Sequence, residues 1–329
     1  MQIPLGIPAL LFLTVPAFSQ INHLDRWFLV EDPPNAGLGA TRTESGAATT
    51  VTLTAANAAI PSGTDIGYQS FNGNTAVEST AGYTFDPGDD FTVAVDYSIV
   101  YGGGNPLDLG IGFGIGEDGN GVNSAGVALL RAQPFGFPVL AIGAAGRIDD
   151  ETQSPELLGT ATNNLSDQGT FFVTHTTATG TITVGRSGTP GAAAPELLHA
   201  FAGIQNNWSG RDLIVSFFMR SEGWTGGTAT ATFGNLRVLD GTPKGIPPRI
   251  TSVVHGTGTL DFSFEGGTGW NYFIQGGTDL AAFPDDLTAE PNTTLSENPP
   301  GSGIFSGSVD VSGKGTSYFL RFTDQAPAP

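Results

Sequence analysis

Hydrophobic and polar positions alternate one for one along most of the chain, in short runs broken by Gly, Pro, Asn and Asp. The most regular run is Leu107–Gly116. Leu107, Leu109, Ile111, Phe113 and Ile115 fall on one face, and Asp108, Gly110, Gly112, Gly114 and Gly116 on the other. A period of two predicts a strand with one buried face. Its second face is nearly bare backbone, and four interior glycines cost about 2–4 kcal/mol relative to alanine. Glycines in a strand mark a bulge, a bend or the close approach of a backbone or ligand. After the polar loop Glu117–Ser124 the chain returns as Ala125–Arg131, which predicts a hairpin with one greasy and one smooth face.

Similar alternation predicts strands at Trp27–Val30, Thr49–Ala55, Phe91–Val100, Val139–Ala144, Thr170–Thr177, Thr181–Arg186, Leu213–Met219 and Thr228–Val238. Pro195–Ala202 alone has a modest helical look. In the last strand Ala229, Ala231 and Phe233 share one parity, and Leu236 and Val238 the other. The slip at Gly234–Asn235 predicts a β-bulge. Residues 241–249 (GTPKGIPPR) read as a Pro/Gly linker. Beyond them Leu260, Phe262 and Phe264, then Tyr272 and Ile274, then Tyr318, Leu320 and Phe322 alternate again. The expectation is all-β: a jelly-roll sandwich over residues 20–240 and a smaller β-sandwich over 250–325, ending in a short tail at 326–329.

Composition narrows the function classes. Twelve basic residues stand against 31 acidic ones, a formal net charge of −19, and only Lys244 and Lys314 are lysines. Such a surface repels nucleic acid and anionic membranes. Cysteine is absent, which removes disulfides and thiolate chemistry. Residues 1–19 read as a secretory signal peptide. The apolar run Ile7–Ala17 is too short to span a bilayer, and Ala17-Phe18-Ser19 has the small-residue spacing of a cleavage site. The mature chain is therefore expected to be secreted or on the cell surface, with no membrane span.

The segments FTVAVDYS, GIGFGIGEDGNGVNSAGVAL and LIVSFFMRSEGWTGGTATATFGNLRV together resemble secreted concanavalin A-like (laminin-G-like) jelly-roll domains of environmental bacteria, over roughly Ile21–Asp240. The second unit, with WNYFIQGGTDL and SYFLRF, is similar to small C-terminal β-domains on exported bacterial proteins. The resemblance implies the fold and a lectin-like role. The Glu-x-Asp-x-x-Glu strand motif of glycosidases with this fold does not occur, nor does a hydrophobic sorting tail.

Gly114-Ile-Gly116-Glu-Asp-Gly119 matches G-x-G-x-x-G, but that motif needs a helix to follow, and Asn120-Gly121-Val122-Asn123 is turn chemistry. Glu117, Asp118, Asn120 and Asn123 place four oxygen-bearing side chains in one loop. Calcium takes six to eight oxygens, so these are candidate calcium ligands; the alternative is an Asx-type turn bonding its own backbone. The four histidines are scattered, without zinc spacing. Asp89-Asp90 and Asp149-Asp150-Glu151 sit among turn residues, whereas Asp96 and Asp108 lie on the polar faces of strands and would line one groove if those strands were neighbours. Trp208 and Trp224, in Asn/Ser/Gly-rich loops, either stack on a sugar ring or plug the ends of the sandwich.

These features point to a non-catalytic protein binding an extracellular carbohydrate or cell-surface polymer. The candidate site is Asp96, Asp108, Gly112, Gly114, Arg131, Trp208 and Trp224. A structural matrix role without a small ligand, and a polysaccharide hydrolase or lyase using Asp96 and Asp108, are the alternatives, because fold does not determine function.

Overall fold

The computed structural model describes residues 19–20, 27–45, 48–70, 84–117, 122–133, 136–149, 151–152, 156–160, 167–208, 210–241, 243, 248–266, 272–278, 283–299, 304–314 and 318–323. The leader-like stretch up to Phe18, most of the linker and the tail lie outside them.

Two antiparallel sheets form the first unit. Sheet I runs, in spatial order, β14 (Leu197–Ala202), β13 (Thr181–Ser187), β12 (Gln168–Thr176), β6 (Phe91–Val100), β16 (Ala229–Asp240), β4 (Ala48–Ala55) and β3 (Leu38–Ser45), with β1 (Ser19–Gln20) also on β16. Sheet II runs β10 (Glu151–Thr152), β9 (Val139–Ile148), β8 (Ser124–Ala132), β7 (Leu109–Gly116), β15 (Ile214–Ser221), β5 (Thr64–Gln69) and β2 (Phe28–Asp32), with β11 (Glu156–Thr160) also on β9. The central pairs are β6–β16 and β7–β15, so the chain crosses between sheets from β5 to β6, β6 to β7 and β15 to β16. This is the all-β, two-sheet jelly-roll sandwich expected from the sequence.

The inward rows are the alternating apolar positions. Phe91, Val93, Val95, Tyr97 and Ile99 from β6 meet Leu109, Ile111, Phe113 and Ile115 from β7 in one hydrophobic core. Phe217 of sheet II stacks on Phe233 of sheet I at 4.6 Å between centroids, fastening the central strands across the core. The expected slip in β16 is present. The register against β6 shifts between Gly234 and Arg237, and Asn235 takes the left-handed conformation at φ 49°.

Two readings of the pattern change. Leu107 and Asp108 belong to a 3-10 turn, Pro106–Asp108, and the strand starts at Leu109. Leu197–Ala202 is an edge strand rather than a helix, because pairing with β13 overrides its weak helical propensity. Strands β3 and β5 had no expectation from the alternation.

The second unit has one sheet of β17 (Arg249–His255), β18 (Thr259–Glu265), β22 (Ile304–Asp310) and β21 (Thr294–Glu297), and another of β20 (Asp285–Asp286), β19 (Phe273–Gly277) and β23 (Phe319–Thr323). It buries its own cluster of Phe262, Phe264, Tyr272, Ile274, Leu287, Phe305 and Val309. Among the described residues no helix is long and apolar enough to cross a membrane.

Candidate functional site

The outer face of sheet II is the unusual surface of the molecule, and cross-strand register orders it into rows. One row reads Val30, Gly67, Phe218, Gly112, Ala128 and Gly143 across six strands. Its only ring is Phe218, with a glycine on either side. A Cβ on Gly112 would stand 2.6 Å from Phe218 Cζ, and one on Gly67 would stand 2.3 Å from the Phe217 carbonyl oxygen. Gly67 thus permits β5 and β15 to approach closely, and Gly112 lets the ring lie over β7. The glycine stripe of β7 is what the outer face requires, and every residue of β7 is buried as a result.

The next row reads Phe28, Gln69, Ser216, Gly114, Gly126 and Ala145, and the one after it Ile214, Gly116, Ser124 and Arg147. On the other side of Phe218 lies Asp32, Asp65, Arg220 and Gly110. The parts of these rows on β15, β7, β8 and β9, with Gln69 of β5, line an open groove of 340 Å³, with a Gly/Ala floor and polar groups from Gln69, Ser124 and Ser216. Among the described residues its charged lining is Arg147 and Arg220, with no carboxylate.

At one end Arg220 is held from two sides. Its Nη1 donates to Asp65 Oδ2 at 3.2 Å and its Nε to Glu222 Oε1 at 3.1 Å. Burial pushes the Asp65 carboxyl up to about 6; Arg220 opposes this, and Asp32 and Glu222 add repulsion. The folded state therefore binds the Asp65 proton more tightly than the unfolded chain, whose value is near 3.8. Stability contributed by this group is full below about pH 4 and declines as pH rises to about 6. Asp65→Asn is expected to flatten that part of the pH–melting curve and to melt no lower than the parent at pH 7; an unchanged slope would count against it.

Of the residues expected in the site, the groove includes Gly114, and Gly112 lies beneath Phe218; the others are placed elsewhere. Asp96 is on the outer face of sheet I, whereas Asp108 sits in the turn that leads into β7 of sheet II, so the fold does not bring these carboxylates into one groove. Asp96 is also engaged: Oδ1 accepts from Thr170 Oγ1, Gly191 N and Arg237 Nη1, and Oδ2 from Asn235 Nδ2. Asp108 sits in the turn before β7, where its carbonyl accepts from Glu222 N at 2.8 Å. Arg131 has the parity of the inward row Ala125, Val127 and Leu129 and projects at the exposed end of β8. Trp224 is fully buried, its Nε1 donating to the carbonyls of Ala56 and Gly227. Trp208 is half-buried, with Nε1 donating to the Asn123 carbonyl and its ring 5.3 Å from that of His175. Both tryptophans plug the sandwich.

The calcium reading meets a similar obstacle. Asn123 uses both ends of its amide, Oδ1 accepting from Asp149 N and Nδ2 donating to the Asn207 carbonyl. Glu117 Oε1 accepts from Arg211 N at 3.1 Å. Asp118 and Asn120 lie outside the described residues, among which no group of three His, Asp or Glu is placed to hold a metal. The side chains that are described tie the loop to Asp149, Asn207 and Arg211. Gly114 and Gly116 of the G-x-G-x-x-G match are strand residues, not the start of a helix.

Phe218, Arg220 and Asp65 were not singled out by sequence. The available signal was in Ile214–Ser221, where Ser216, Phe218 and Arg220 share the parity opposite to Val215, Phe217 and Met219. An aromatic on the polar parity of a strand is the mark of a covered or binding face.

The sequence matches no protein-family model and no curated relative. Solved structures similar to it include lectin UEA-II complexed with galactose, at 9 % identity and TM-score 0.39, covering 67 % of this chain and 95 % of that one. Lectin I-B4 of Griffonia simplicifolia in metal-free form follows at 12 % identity and TM-score 0.34, over 64 % of this chain and 98 % of that one. The β-glucanase of Bacillus licheniformis has 8 % identity and TM-score 0.35, over 66 % and 98 %. No residue role is transferred from any of them.

Proposed function

We propose that this chain is an exported, non-catalytic carbohydrate-binding protein whose ligand, an extended glycan or cell-surface polymer, lies in the groove on sheet II. The observation that carries the reading is Phe218, an aromatic ring set between Gly67 and Gly112 on an otherwise smooth, open floor. A pyranose offers a flat face of C–H groups that fits such a ring, while its hydroxyls need donors and acceptors at the edges, here Gln69, Ser216 and Ser124. A mostly apolar groove with a few convergent polar groups is the usual form of a ligand site. Export rests on the leader-like residues 1–19, and the net charge of −19 argues against nucleic acid as the alternative polymer.

The test is retention of the full chain on a panel of insoluble polysaccharides. Phe218→Ala is expected to weaken retention about tenfold, on the order of 1.4 kcal/mol, with an unchanged melting profile for the second unit. Equal retention by the variant, or no retention of the parent on any polymer, overturns the proposal; self-association without sugar would favour a matrix role instead.

A further inference from the structure

We infer that Arg220 is the polar recognition residue at one end of the groove, donating from Nη2 to adjacent oxygens of an uncharged glycan that stacks one ring on Phe218 and runs along β15 past Arg220, and that Asp65 is its positioning residue. The inference rests on the groove reading above and names the ligand class within it.

Phe218 and Arg220 are two residues apart on β15 and project from the same face, about 7 Å apart along the strand. Arg220 is held by both its Nη1 and its Nε, on Asp65 and Glu222. Glu222 in turn accepts from Ser62 Oγ at 3.4 Å. The remaining nitrogen, Nη2, carries two N–H donors and has no hydrogen-bond partner among the described residues. A guanidinium fixed on two edges loses little side-chain freedom when the third edge binds, which is what makes a donor selective. Two N–H groups on one nitrogen suit neighbouring oxygens such as a vicinal diol.

The charges around Arg220 select against an acidic sugar. Asp65 faces it from β5 and Glu222 from the end of β15, Asp32 stands one strand beyond Asp65 on β2, and β7 contributes the uncharged Gly110. Asp108 reaches Glu222 only through its carbonyl. Asp65 and Glu222 both pair with Arg220 and offset its charge, so this end of the groove offers no net positive charge to a ligand carboxylate or sulfate, and the other charged lining residue, Arg147, stands at the opposite end. The ionised Asp65 carboxylate holds Arg220 most firmly; as pH falls below about 6 it takes up a proton and the hold weakens.

The experiment uses the full chain and the neutral polysaccharide it retains best, with polygalacturonate and a sulfated galactan as anionic arms. Arg220→Lys, which keeps the charge and loses the forked donors, is expected to weaken retention about tenfold. Asp65→Ala is expected to weaken it several-fold, and Asp65→Asn, which still offers an oxygen to Nη1, to restore most of it. The parent should bind less at pH 5 than at pH 7.5, falling to the level of Asp65→Asn, which should bind equally at both. If Phe218→Ala is defective and Arg220→Lys is not, this inference falls and the groove stands. If the anionic arms are retained better than every neutral polymer, the ligand class is wrong. If the parent is retained by nothing, both readings fall.

Discussion

Trp224→Ala is expected to destabilise the larger sandwich by about 3–5 kcal/mol, the cost of emptying a fully buried indole site. The ring has no solvent exposure and is closed in by backbone. A Cβ on Gly104 would stand 2.0 Å from Trp224 Cη2, and one on Gly226 2.8 Å from Cζ2. Those glycines exist to admit the ring, so the loops on which they sit have little to collapse onto when it is removed. The carbonyls of Ala56 and Gly227 also lose the Nε1 donor, at 3.2 and 3.0 Å. For a unit of this size each kcal/mol lowers the melting temperature by about 2–4 °C, so the transition should fall by roughly 6–20 °C. Differential scanning calorimetry, in which the two units can melt separately, measures it. A fall of a degree or two would mean that Trp224 is not the plug described.

Asp96→Ala is expected to cost a comparable amount, about 3–5 kcal/mol, for an electrostatic reason. The Arg237 side chain is 9 % exposed and the Asp96 side chain 17 %, with Nη1 and Oδ1 3.1 Å apart. Removing the carboxylate leaves a guanidinium nine-tenths out of water without its counter-charge. Asp96 also closes the bulge of β16 through Asn235 Nδ2 at 2.7 Å, and ties the turn after β13 through Gly191 N at 2.9 Å. Asp96→Asn, which keeps an oxygen and loses the charge, should be milder, at about 1–3 kcal/mol. Urea unfolding of both variants gives the order. If the alanine variant is as stable as the parent, the pair is a surface ornament; if polymer retention is lost at full stability, Asp96 has a ligand role after all.

These substitutions show how far the residues could be read in order. Asp96 stood out as an acid on the polar face of a regular strand, and that position is correct. Its partners were out of reach, because Thr170, Gly191, Asn235 and Arg237 are brought to it by pairing of β6 with β12 and β16. The bulge at Gly234–Asn235 was legible because a change of parity leaves no alternative within one strand. The glycine stripe of β7 was legible as a smooth face. What fills that face, Phe218, comes from a strand about a hundred residues later. Trp208 and Trp224 offered two roles from sequence, since a tryptophan in a Gly/Asn/Ser loop has the same neighbours whether it points out or in.

By itself the sequence determined which residues of the regularly alternating strands face the core, where the parity slips, that one strand carries almost no side chain on its outer face, and that no thiol chemistry is available. Those are local properties, set by the two-residue repeat of an extended chain and by residue type. The β7–β8 hairpin was legible in the sequence; the tertiary structure alone decided that the other neighbour of β7 is β15 rather than β6, and with that choice it put Phe218 on Gly112, Asp65 on Arg220, and Asp96 on the opposite side of the molecule. Strand order is settled by packing among residues far apart in the chain, and alternation carries no record of it.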